Sequence, residues 1–204
     1  VKMLNSEMQV RISHDIMNLP EGYGFLYTNY KFKLRFLVNR NIVLLENSFK
    51  GNRELAIKNP AVAMLNVSNG KLEMAGVKYS DYIVESNGSF GYQFGINFNF
   101  GHNDKIFYTF PVQSEIFVHD LATGSTDTYH AESKYTSNRV EPLGNLGNRD
   151  EGRINFIESP AFYGILGDPA SGLYYRIHRD GKPFNILEDE FNAIADVHFY
   201  ITVL

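Results

Sequence analysis

The sequence predicts an all-β fold, a β-propeller-like array of antiparallel blades, from three hairpin turns at near-constant spacing. The turns read Ser68-Asn69-Gly70-Lys71, Ala122-Thr123-Gly124-Ser125 and Arg179-Asp180-Gly181-Lys182, so their glycines fall 54 and 57 residues apart. Each closes two runs in which apolar residues alternate with polar ones. A period of about 50 to 60 residues suits a four-stranded blade that buries its faces against its neighbours. Two further observations agree: no capped segment carries a long apolar stripe of helical period, and the 16 Phe and 13 Tyr suit packed, pleated surfaces.

The elements follow in chain order. From Tyr30 to Val38, Tyr30, Phe32, Leu34, Phe36 and Val38 share one strand face and Lys31, Lys33 and Arg35 the other. The basic row is that of a solvated or edge strand, where Lys discourages unwanted sheet pairing; an anion-binding face is the alternative. Asn39-Arg40-Asn41 turns this strand into Ile42 to Leu45. Around Asn69-Gly70 a two-residue type I′ turn pairs Ser68 with Lys71, Val67 with Leu72 and Leu65 with Met74, placing Leu65, Val67, Leu72 and Met74 on one face.

Tyr92 to Phe100 alternates strictly, and Gly101-His102-Asn103-Asp104 returns it as Ile106 to Phe110. Ile116 to Leu121 and Thr126 to Tyr129 flank a three-residue turn with Gly124 in the left-handed conformation, and Asp120 is placed to accept turn N–H bonds. Residues 132–153 lack periodicity and read as a long loop inserted in a single partial propeller domain spanning 1–204. In the last repeat Tyr175, Ile177, Phe184 and Ile186 share one face of a hairpin closed at Asp180-Gly181, while Tyr174, Arg176 and His178 share the other. A further hairpin at Asp189-Glu190 leads into the β-rich run Phe199 to Leu204.

Composition narrows the function. A formal net charge of −4 gives no electrostatic case for nucleic acid. The absence of Trp excludes a Trp-based sugar or cofactor platform, and the absence of Cys excludes thiol nucleophiles and Cys-ligated metals. No apolar run approaches a membrane span, and the residues from Val1 onward do not form a charged-then-apolar export leader, so the expectation is that any export signal has been removed. At about 55 residues per repeat, 204 residues hold three to four blades where closed rings use four to eight. The expectation is that the natural chain continues past Leu204 or before Val1, or that another chain closes the assembly.

The succession Tyr79-Ser80-Asp81-Tyr82, Ile106 to Phe110, Glu115 to Leu121 with its Thr-Gly turn, Glu132-Ser133-Lys134-Tyr135 and Tyr163 to Asp168 leading into Leu173-Tyr174-Tyr175-Arg176-Ile177 resembles a family of uncharacterised lipoproteins. These are TolB-like, six-bladed β-propellers of Gram-negative gut-type bacteria, and the resemblance spans residues 20–198. It implies a propeller fold and a cell-envelope location, in the periplasm or at the outer-membrane surface, with membrane attachment only through a lipid anchor. It brings no catalytic residues.

Motifs for chemistry are sparse. His14, His102, His119, His130, His178 and His198 show no local metal-ligand spacing, and His119 points to the opposite strand face from Asp120. Asp81, Glu85, Glu115, Glu158 and Asp168 lie near strand ends, and two of them converging would suit glycoside hydrolysis. No nucleophile elbow or phosphate loop occurs. Arg176, mid-strand in a blade covered on both faces, must be paired if buried. It serves either as a structural anchor or, with Tyr174 and His178 beside it, as a guanidinium that holds a ligand. The leading reading is therefore a non-enzymatic envelope scaffold, without cofactor or metal, binding a protein, a glycan or a small molecule through Tyr174, Arg176 and His178. The alternative is a carbohydrate-active enzyme with paired carboxylates in a central pocket.

Overall fold

The computed structural model describes residues 2–4, 10–13, 19–27, 35–37, 40–49, 52–86, 88–91, 94–101, 103–144, 149–168, 172–184 and 197–204. The chain forms two compact units, Val1–Val84 and Glu85–Leu204. Tyr30 to Leu34 and Val38, the turn at Asp189-Glu190, and Ile186 lie outside the described residues.

In the first unit, β1 (Lys2–Leu4) pairs antiparallel with β2 (Val10–Ser13). The main sheet is built on β5 (Ile42–Ser48), whose one edge takes β4 (Arg35–Leu37) and then β3 (Phe25–Tyr27) in series. Its other edge takes β6 (Val62–Asn66), which pairs with β7 (Leu72–Met74). Alternation brings Val43, Leu45, Leu65 and Val67 onto one face, where Leu26 and Leu72 pack against them. Helix α1 (Arg53–Lys58) begins at Asn52, whose side chain accepts the Leu55 amide at 3.0 Å, and α2 (Asp81–Glu85) ends the unit.

The register around Gly70 differs from expectation. Leu65 faces Leu72 and Asn66 bonds Lys71, so the loop is Val67 to Gly70, four residues long. A type I′ turn needs positive φ at both central residues; Gly70 has φ +75°, but Asn69 is not among the positive-φ residues. The Asn66 side chain accepts the amides of Ser68 at 3.0 Å and Asn69 at 3.4 Å, which favours the longer loop. The register moves by two residues, so Leu65, Val67 and Leu72 keep the predicted face.

The second unit holds two blade-like sheets. One runs in order β8 (Asn97–Phe100), β9 (Lys105–Thr109), β10 (Glu115–Asp120), β11 (Thr126–His130). The other runs β12 (Ala161–Asp168), β13 (Leu173–Arg179), β14 (Phe199–Val203). Strand β12 lies against β8 and β9, so the two sheets meet along their first strands. With the first unit's sheet these make three antiparallel blade-like sheets, and the all-β, propeller-like class holds.

The β10–β11 turn repeats the geometry at Gly70. Asp120 bonds Ser125 across a four-residue loop, Gly124 has φ +73°, and the Asp120 carboxylate accepts the amides of Ala122 at 2.8 Å and Thr123 at 3.1 Å. Asp120 thus has the predicted role in a loop one residue longer than predicted. The third turn is a correction. The Asp180 amide donates to His198 O and the Lys182 amide to Ile157 O, so the chain leaves β13 along a helix rather than folding back at Gly181. Gly181 matters there because a Cβ would collide with the backbone of Glu158, not for a left-handed φ.

That helix, α3 (Arg149–Glu158), takes up the end of the predicted 132–153 loop. Residues 131–144 are irregular but tied in: Gln113 bridges Arg139, Ser89 bridges Leu143, and Val140 is buried. Helix α3 is nearly three turns long and carries Gly152 as its fourth residue, which weakens its sequence signal.

Candidate functional site

Strand β13 sends alternate side chains to opposite faces. Tyr174, Arg176 and His178 do share one face, the one turned toward the β8–β11 sheet, as the sequence predicts. They do different things there.

Tyr174 lies opposite Gly167, where a Cβ would come within 3.0 Å of its ring. The space left lets the ring stack on Phe107 at 4.7 Å and 23°. This pair joins Ile116, Val118, Ala131 and Ile165 in a groove of about 440 Å³ that also touches Lys105, Tyr129, His130 and Leu204. The sheets meet along their first strands and their later strands stand apart, so the groove is the wedge between two blades. Among the described residues no Asp or Glu lines it.

Arg176 is fully buried and donates both terminal nitrogens to backbone carbonyls, those of Ser114 and Ala131. Its guanidinium lies over the Phe162 ring at 4.9 Å. Burial pushes its pKa down to about 10, against a smaller opposing influence from Glu115. Both terminal nitrogens are thus taken up by backbone carbonyls, and Arg176 is not among the residues lining the groove.

His178 is also buried. Its Nε2 lies 2.8 Å from Ser133 Oγ, its Nδ1 3.5 Å from Thr202 Oγ1, and its ring is sandwiched between Phe162 at 5.7 Å and Tyr200 at 5.3 Å. Burial first, and the Arg176 charge second, hold its pKa below the usual value. Arg176 and His178 therefore grip Ala131 and Ser133, two alternate positions of one segment.

The third position along that segment is Tyr135, 71 % exposed, whose ring stacks on Tyr200 at 5.0 Å and 6°. No local motif marks Tyr135, Tyr200 or Arg179 as functional. Arg179 is fully buried on the opposite face of β13, donating to the carbonyls of Phe156 and Ser159 and closing the C-terminal end of α3. Its sequence signal is that it is a second Arg three residues after Arg176 in the same strand.

The other candidates are dispersed. His119 is buried with Nδ1 2.9 Å from Thr126 Oγ1, Glu115 pairs with Arg139 at 2.8 Å, and Glu158 accepts the Phe184 amide at 3.0 Å. Among the described residues no three His, Cys, Asp or Glu side chains gather as a metal site.

Residues 16–204 match the family described as a domain of unknown function, DUF4221. Among solved structures the chain is similar to the crystal structure of a DUF4221 member from Bacteroides vulgatus, with a TM-score of 0.65 at 18 % identity. The likeness covers 82 % of this chain and 47 % of that one, so the chain spans about half the length of this relative. At that identity the likeness concerns the fold alone. No curated protein matches. With the match running over nearly its whole length, the chain belongs to the DUF4221 family.

Proposed function

We propose that the chain is a non-enzymatic, envelope-associated scaffold of the TolB-like, six-bladed lipoprotein kind, which binds an apolar small molecule in the wedge between its two blades. The observation that carries this is the groove: a stacked aromatic pair and four aliphatic side chains, with Lys105 and His130 and, among the described residues, no Asp or Glu side chain beside them. A largely apolar cleft with a few polar groups suits ligand binding, whereas glycoside hydrolysis needs two acids facing a substrate. The envelope location rests on the family resemblance seen in the sequence.

Dodecanoate is a suitable probe, because its chain fits the apolar walls and its carboxylate can meet Lys105. Methyl NMR of the full 204-residue chain should show saturable shifts at Ile116 and Ile165, weakened by Val118→Phe, which narrows the groove. If the two methyl signals stay fixed while dodecanoate is raised to its solubility limit, the reading fails.

A further inference from the structure

We propose that Tyr135, Tyr200 and His198 form a carbohydrate-stacking platform, separate from the groove, on which the flat C–H face of a neutral pyranose in a polysaccharide rests. The first support is the way Tyr135 is presented. An aromatic ring 71 % exposed on a loose loop would be a surface accident, but this one is fixed. The Tyr135 amide donates to Ser133 Oγ at 3.1 Å, and Asn138 clamps the loop by accepting the Ser133 amide at 2.6 Å and donating to Ser133 O at 3.3 Å. His178 holds the same Ser133 hydroxyl from beneath.

The second support is the stack itself. Tyr135 on Tyr200, Tyr200 on His178 and His178 on Phe162 form one column that runs from the surface to the buried Arg176. One face of Tyr135 is backed by this column and the other is turned outward. The negative face of an aromatic ring attracts the polarised C–H groups of a sugar face, and a ring already immobilised loses little freedom on binding.

The third support is a polar group beside the supporting ring, the His198 ring lying 6.4 Å from that of Tyr200. His198 is 79 % exposed in its side chain, and its Nδ1 lies 3.2 Å from Asp180 Oδ2. A neutral imidazole facing a carboxylate must carry its proton on Nδ1, which leaves Nε2 as an acceptor for a hydroxyl. Asp180 also accepts the His198 amide at 3.0 Å and the Tyr200 hydroxyl at 3.4 Å, so one carboxylate orients both the imidazole and the supporting ring. A single flat face with one oriented acceptor fits a sugar better than a cation, which favours several aromatic walls.

Affinity electrophoresis of the full chain against a panel of neutral soluble polysaccharides, with cellohexaose titrations followed by NMR of the Tyr135 amide, tests this. At least one polysaccharide should retard the protein. Tyr135→Ala should weaken binding about tenfold, equivalent to one good stacking contact, while Tyr135→Phe should stay within about threefold of wild type. The groove variant Val118→Phe should leave sugar binding unchanged, so failure of the groove reading and failure of this one are distinguishable. No retardation by any polysaccharide, equal binding by Tyr135→Ala, or capture of a decaproline peptide instead of sugar would each overturn the proposal.

Discussion

The imidazole of His178 and the hydroxyl of Ser133 lie 2.8 Å apart, and through that contact a buried strand residue fixes a surface loop. The geometry is a register rather than a single bond: Arg176 takes Ala131, His178 takes Ser133, and Tyr200 takes Tyr135. Three successive odd positions of one irregular segment are matched by side chains from two neighbouring strands. Arg176 and His178, on the inner face of β13, therefore hold in place the segment that lies over them.

Arg176→Ala should destabilise the fold by about 3 kcal/mol, because two charge-assisted bonds are lost and the carbonyls of Ser114 and Ala131 are left buried without a donor. Urea denaturation measures this. Dodecanoate affinity should change little at temperatures where the variant is folded, since the guanidinium does not line the groove. A variant as stable as wild type that no longer binds the probe would assign Arg176 to the ligand instead.

How far the sequence could be read depends on the range of the interaction concerned. Alternation and Asx–Gly turns are local, so the strands around Gly70 and Gly124 and the role of Asp120 were legible, and the strand faces survived a two-residue error in register because that error preserves parity. The repeat failed at Gly181, where a matching Asp-Gly dipeptide serves a close approach to α3 and the strand pairs instead with residues 199–203. Arg176 could be singled out as buried because a charge within a covered strand stands out. Its carbonyl partners, 62 and 45 residues away, could not. Tyr135 was invisible for the same reason, since nothing in its own neighbourhood announces a stack on Tyr200.

Gly124→Ala and Gly70→Ala should each cost roughly 1 kcal/mol, as a Cβ is disfavoured at φ values of +73° and +75°. Asp120→Ala should cost a similar ~1 kcal/mol by releasing the amides of Ala122 and Thr123. Thermal melting decides both. Equal melting of Gly124→Ala and wild type would mean that the left-handed turn is not required.

Stability should fall on the acid side of neutrality through His178. Its native pKa lies below the ordinary value of about 6.5, so between the two values the unfolded chain binds the extra proton. The contribution is therefore complete above pH ~6.5 and is lost as the pH drops through that value toward the native pKa. His178→Gln should flatten this part of the profile when urea midpoints are compared from pH 8 to pH 5. NMR titration should place the His178 midpoint below the ordinary imidazole value. A His178 midpoint above the ordinary value would reverse the predicted slope.

The outer face of β12–β14 carries the last expectation. Phe199, Ile201 and Val203 are each more than half exposed, Leu166 is 53 % exposed on β12, and Ile177 lies between them on β13. The inner face of the same sheet is already packed, so an apolar outer face gives the pattern of a layer placed between two others. An apolar row of this kind exceeds what a monomeric surface ordinarily leaves in water, and β14 also offers an edge for strand pairing. The 204-residue chain should therefore self-associate as its concentration rises, by light scattering. Ile201→Lys combined with Val203→Lys should suppress that association while shifting stability by no more than about 0.5 kcal/mol, as for other exposed positions. A wild-type chain that stays monodisperse and monomeric, or a double variant that still associates, would show that this face is not an interface.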